Sequence, residues 1–198
     1  MEEKSDIKTV SYSLEPAFLF ATELSRLIVK AGTDPINEWF FFDGAFTSTN
    51  SLEMGNINTW ANENYVVIHD KKIIAYFEGH WDRPLDIIES LRIILFDKTK
   101  SQECWNALFD YFRYLFELRG CNAVNWSVAL KNTHVYKIYE IMIARGYCHK
   151  IGIKHHCIKS YTGKISDAMM YEMTKDEYTI MKNKKYENSE GKHENRRS

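Results

Sequence analysis

Apolar and polar positions alternate along this chain with two distinct periods. Tyr65 to His69 and Ile73 to Trp81 are apolar-rich runs separated by Asp70-Lys71-Lys72, which predicts two strands joined by a tight turn. After Arg83-Pro84, the segment Asp86 to Phe96 predicts a third strand. Glu89, Leu91, Ile93 and Leu95 fall on one of its faces, with Ser90, Arg92, Ile94 and Phe96 on the other. The stretch 65–96 therefore reads as an antiparallel meander. Upstream, residues 7–14 alternate loosely, as a first strand does. Pro16 suits a first helical turn, and Ala17, Phe20, Ala21, Leu24 and Ile28 recur at helical spacing, predicting a helix over 16–30. Gly32-Thr33-Asp34-Pro35 breaks it. Residues 36–62 are rich in aromatics and read as helix in pieces.

The second half is more regular. Thr99, with Gln102 three positions on, has the spacing of a capping box and predicts a helix over 100–119 that stops at Arg119-Gly120. A buried strand is expected at 122–130, and a polar turn at Lys131-Asn132-Thr133. A helix follows at 133–145 with Val135, Ile138, Tyr139 and Met142 facing inward, then the stop Arg145-Gly146-Tyr147. Residues 150–159 and 166–173 read as a final strand pair. The fold class is α/β, with a mixed central β-sheet flanked by helices. The strand of 86–96, the helix of 100–119 and the strand of 122–130 form a βαβ crossover, which predicts local parallel pairing.

Composition narrows the picture without deciding it. The chain has 198 residues, 44% hydrophobic and 27% charged, as expected of one globular domain. No apolar run approaches the roughly 18 residues of a membrane span, and the polar start Met-Glu-Glu-Lys-Ser-Asp is not a secretory signal. A cytoplasmic location is expected. The net charge of −1 gives no nucleic-acid signature. Residues 182–198 carry six Lys/Arg and three Asp/Glu, a local +3 that leaves −4 for residues 1–181. The chain is therefore expected to divide into a domain at 1–181 and a basic, disordered tail at 182–198, where any nucleic-acid contact would lie. The four cysteines show no CxxC spacing and are expected to be reduced thiols. Cys148-His149 and His155-His156-Cys157 hold ligand-type side chains, but neighbours on a strand face opposite ways, so no metal site is expected. Cys104 and Cys121 have no acid or base placed beside them by sequence.

The order strand, Asn-capped helix, Gly-aromatic stop and strand from Val124 to Tyr147, with the ending Asp167 to Tyr178, resembles the GNAT superfamily of acyl-CoA-dependent N-acyltransferases. The resemblance covers about residues 7–178. It implies the GNAT-like fold, acetyl-CoA as cosubstrate, and direct attack of an amine on the thioester. It further implies that the pantetheine arm lies along Ile93, Ile94 and Leu95. The pyrophosphate would sit at the crossover helix start, at Lys98, Lys100, Ser101 and Gln102, with Asn132 opening the next helix. Tyr139, seven residues after Asn132, takes the place of the general acid, with Tyr136 as a second candidate. Glu89 takes that of the base, with Asp86, Glu78 and His80 on the same meander.

Two departures stand out. The family loop Arg/Gln-x-x-Gly-x-Gly/Ala is replaced by Asp97-Lys98-Thr99-Lys100-Ser101-Gln102, without glycine. Gly146 also follows Tyr139 by seven residues where the family has four, so the helix is a turn longer. The acceptor would be a small-molecule or peptide amine, with residues 33–64 covering its side of the site. The glycine-free loop also resembles GNAT-like proteins of tailed bacteriophages, including internal virion components. That resemblance implies an assembly or partner-binding role instead, with a virion partner and a virion location; a homodimer is a further partner expectation.

Overall fold

The computed structural model describes residues 12–34, 37–39, 62–160 and 162–194, with side chains through 187. Seven strands, β1 (Tyr12–Pro16), β2 (Tyr65–His69), β3 (Lys72–Asp82), β4 (Ile87–Leu95), β5 (Ala123–Ala129), β6 (His149–Lys159) and β7 (Ile165–Thr174), form one sheet in the order β1-β2-β3-β4-β5-β7-β6. All pairings are antiparallel except β4 with β5. The helices are α1 (Ala21–Thr33), α2 (Ser101–Arg113), α3 (Thr133–Ala144) and α4 (Lys175–Glu194).

The expected meander is present. Asp70 and Lys71 connect β2 to β3 with φ of 49° and 62°, the two positive values that a two-residue hairpin turn requires. Ala17, Leu24 and Ile28 pack on Val66, Ile73, Tyr76 and Ile94, so α1 covers one face of the sheet. Leu108, Tyr111, Phe112 and Leu115 pack on Phe77, Ile88, Val124 and Trp126 on the other face, where α3 also lies through Val135, Tyr139 and Met142. The end of α3 is a Schellman closure: Gly146 (φ 72°) donates its N–H to Ile143 O at 2.8 Å, and Tyr147 donates to Met142 O at 3.0 Å. The expected first strand over 7–14 and the helical pieces over 36–62 fall mostly outside the described residues.

Four expectations need correction. Strict alternation fails in β4, because Ile88 and Leu91 are three apart yet share one core cluster. Ser90 absorbs the extra residue at φ 55°, and the register with β3 jumps between Glu78↔Arg92 and His80↔Glu89. Glu89 therefore does not share a face with Leu91. The crossover helix is not capped by Thr99. Asp97 caps a 3-10 turn over Lys98–Lys100, its Oδ1 accepting from Thr99 N at 2.9 Å and Thr99 Oγ1 at 2.6 Å, while Gln102 donates to Asn106. A carboxylate two residues upstream is a better acceptor than a hydroxyl.

The same helix ends in a π turn over Tyr114–Leu118 rather than running straight to Gly120. Finally, α4 carries on through Glu194, across most of the stretch expected to be a disordered tail. Its lysines find partners on the body. Lys182 pairs with Glu117 at 2.7 Å, Lys184 donates to Arg145 O at 3.1 Å, and Lys185 sits 3.6 Å over the Phe109 ring.

Candidate functional site

Strands β4 and β5 touch only at their starts, Ile87↔Ala123 and Ile88↔Val124. Their outer edges are engaged by β3 and β7. Beyond Ile88 the two strands diverge and their inner backbone edges face each other without pairing. A cleft of about 480 Å³ fills the gap, within the usual range for a small-ligand site.

The cleft passes through the sheet, and its halves differ. On the α2–α3 face it is apolar and aromatic, walled by Leu91, Ile93, Leu95, Trp126, Val128 and Tyr139. Trp105, 42% exposed, closes it from α2. Tyr139 packs at a tilt against Trp126, ring centroids 5.2 Å apart, and against Tyr171 at 5.0 Å, and burial pushes its phenol well above the ordinary range, so it stays protonated. The indole Nε1 of Trp126 is buried without a hydrogen-bond partner.

On the α1 face the lining is polar and cationic. Arg92 shares the side of Ile94, while Ser127, Met170 and Lys154 share the side of Ala129 and Ala168. Trp39, Cys157 and Ile158 pack there as well. Arg92 donates to Glu78 at 3.3 Å. A register shift in β6 between Lys154 and Ile158, with His156 at φ 51°, brings Lys154 and Cys157 to the cleft.

The residues singled out by sequence divide accordingly. Ile93, Leu95, Asn132 and Tyr139 line the cleft. Asn132 caps α3, its Oδ1 accepting from Val135 N at 3.3 Å. Ile94 turns its side chain onto α1. Lys98, Ser101 and Gln102 are exposed and Lys100 half-buried at the start of α2, outside the cleft lining. Glu89 is exposed and outside it too. Tyr136 is engaged by Lys150, whose Nζ donates to its hydroxyl at 3.2 Å. Sequence reasoning did not single out Trp39, Trp105, Trp126 or Lys154 as site residues. Trp105 had a signal, since it falls off the buried stripe of α2 and leaves a large apolar ring at the surface. Among the described residues no group of His, Cys, Asp and Glu is arranged to hold a metal.

The splayed parallel pair at the centre of a seven-stranded sheet, with a helix crossing between the two strands, is the deciding geometry, and solved structures share it. A spermidine N-acetyltransferase SpeG chimera of Vibrio cholerae and hSSAT superposes with a TM-score of 0.68 at 16% identity, covering 85% of this chain and 98% of that one. The chain has the GNAT acetyltransferase fold. Mutant forms of the V. cholerae spermidine/spermine N-acetyltransferase SpeG give a TM-score of 0.66 at 16% identity, over 88% of this chain and 99% of the other. At these identities the likeness is one of GNAT fold. No protein-family model and no curated protein matches the sequence. No helix among the described residues is long and apolar enough to cross a membrane.

Proposed function

We propose that the protein is an N-acyltransferase that moves an acetyl group from acetyl-CoA to an amine. The observation that carries this reading is the cleft through the sheet. Its apolar half suits a thioester arm, whose amides can pair with the free inner edges of β4 and β5 as an added strand does. Its polar half leaves room for an acceptor on the opposite side. The two reactants then meet between the strands, and holding them there supplies much of the rate.

The acceptor nitrogen forms the new C–N bond to the thioester carbonyl carbon as the C–S bond breaks. Tyr139, protonated and on the cleft wall, gives its proton to the departing sulfur. The amine's own proton leaves to water, since the described lining holds no carboxylate and Glu89 lies outside it. The nucleotide end fits less well. Asp97 already occupies Thr99 N, its carboxyl held below the usual range chiefly by the Thr99 hydroxyl and amide, so Lys98 and Lys100 are left to meet the phosphates. Titrating acetyl-CoA while following thermal unfolding tests the reading. A specific ligand raises the melting temperature in proportion to the logarithm of its concentration, and no rise at millimolar acetyl-CoA refutes it.

A further inference from the structure

We infer that the acceptor is a small amine that also carries an anionic group, a carboxylate or a phosphate, and that Lys154 selects it. The inference rests on the acyltransfer reading above and deepens its acceptor half.

The argument is one of charge across the sheet. The α1-face half of the cleft presents Arg92 and Lys154, and no Asp or Glu lines the cleft among the described residues. Arg92 is engaged with Glu78, so Lys154 carries the open charge. It is exposed at the rim, and no carboxylate among the described residues pairs with its Nζ. The nearby acids are committed elsewhere. Asp167 accepts from His156 N at 2.8 Å and faces the His155 ring at 3.0 Å. Glu38, next to Trp39, is bound by Ser160, Thr162 and Lys164. A polycation entering this half would meet Lys154, while the acids on the Arg92 face, Glu78 and Glu89, lie outside the cleft lining and Glu78 is engaged by Arg92. An anion would meet a lysine held at the cleft by the β6 irregularity.

The same cations bear on reactivity. The amine attacks only as the free base, and a positive neighbour lowers an ammonium pKa. Lys154 therefore favours the reactive free base to the extent that the acceptor's own anion does not take up its charge, in a cleft whose described lining holds no carboxylate.

The test measures CoA thiol release from acetyl-CoA with primary amines in three charge classes: amino acids and amino-phosphates, their uncharged amide or alcohol counterparts, and polyamines including spermidine. The best acceptor should be anion-bearing, with kcat/KM at least tenfold above its uncharged counterpart. Lys154→Gln should shrink that ratio to below threefold while the melting-temperature rise given by acetyl-CoA is retained. Lys154→Glu should shift preference toward spermidine. If spermidine or an uncharged amine is best, if no anion-bearing amine reacts although acetyl-CoA binds, or if Lys154→Gln leaves the ratio unchanged, the inference is overturned and the acyltransfer reading stands. If acetyl-CoA gives no rise at all, both fall.

Discussion

The closed end of the cleft is held by a buried ion pair, and replacing Arg119 with Met should expose how much it contributes. Glu63 is only 6% exposed, and both of its side-chain oxygens are engaged. Arg119 meets Oε1 through Nε at 2.8 Å and Nη2 at 2.6 Å, Tyr114 donates to Oε2 at 3.1 Å, and Tyr111 donates to the Glu63 backbone oxygen at 2.6 Å. The guanidinium also lies 5.2 Å over Trp81, which pairs with Ile88 at the pinch between β4 and β5. Removing one partner of a fully buried pair costs about 3–5 kcal/mol. Here a third of the Arg119 side chain reaches water, so screening reduces the expected loss to about 2–3 kcal/mol. For a chain of this length that corresponds to a melting-temperature drop of about 4–12 °C. Urea unfolding of wild type, Arg119→Met, Glu63→Gln and the double variant isolates the coupling. Glu63→Gln should cost less than Arg119→Met, because the charge left behind is the better solvated one. The double variant should be more stable than the sum of the singles requires. A loss below 0.5 kcal/mol for Arg119→Met, or a coupling near zero, would refute the argument (thresholds set by roughly the additivity error).

Four further outcomes follow from the same geometry. Tyr139→Phe should lower kcat by roughly 10²-fold with acetyl-CoA affinity unchanged, and wild type should show no alkaline loss of rate from this phenol below about pH 10, because burial raises its pKa; an unchanged kcat removes Tyr139 from the proton-donor role. Asp97→Gly should tighten acetyl-CoA binding roughly three- to tenfold by freeing the helix start from a like charge, and calorimetry showing weaker binding would reverse that view of the loop. Gly79→Ala should destabilise by about 1–3 kcal/mol, since a Cβ there would meet Ile88 Cγ2 at 2.7 Å and Tyr111 Oη at 3.0 Å; a melting temperature within a degree of wild type contradicts the packing. Native protein at pH 8 should titrate one fast thiol with a disulfide reagent, Cys157, because burial lifts Cys104 and Cys121 to about 11 and Cys148 to about 12; two or more fast equivalents would show otherwise.

Much of the fold was legible because its signals are local. The Asp70-Lys71 turn, the apolar run of β5, the Asn132 cap and the Gly146 stop each encode their own geometry within a few residues, and each element they bound is present. The order of those elements then leaves few ways to build the sheet. What escaped is non-local or lacks a residue signature. Ser90 adopts a positive φ without being glycine, so nothing in the sequence marks the bulge. Most of β6 is exposed, which leaves no alternation from which to place Lys154. Glu63 and Arg119 are 56 positions apart and pair only once the sheet is built. The lysines of α4 read as a solvated tail because their partners, Glu117, Arg145 and Phe109, lie on other elements.

The bulge at Ser90 ties these points together. The extra residue in β4 takes Glu89 off the Leu91 face and sets it, exposed, on the Arg92 face outside the cleft lining. It also lies just past Ile88, where β4 and β5 stop pairing. Bulges increase local twist and bend the strand that carries them, and here that bend leads the strand away from β5. The residue at which the strands diverge is therefore also the one that sets the face of Glu89. On the acyltransfer reading proposed above, and with no carboxylate among the described lining residues, the neutral amine has to be obtained in another way. Lys154, held at the rim by the β6 irregularity, is the cation proposed to provide that means, Arg92 being engaged by Glu78. Shortening β4 by deletion of Ser90 should restore strict alternation, with Leu91 two positions from Ile88 on one face and Glu89 left on the other beside Arg92. It should also diminish the acetyl-CoA melting-temperature rise, as β4 follows β5 further before diverging. A deletion variant that folds and keeps the full rise would separate the cleft from the bulge.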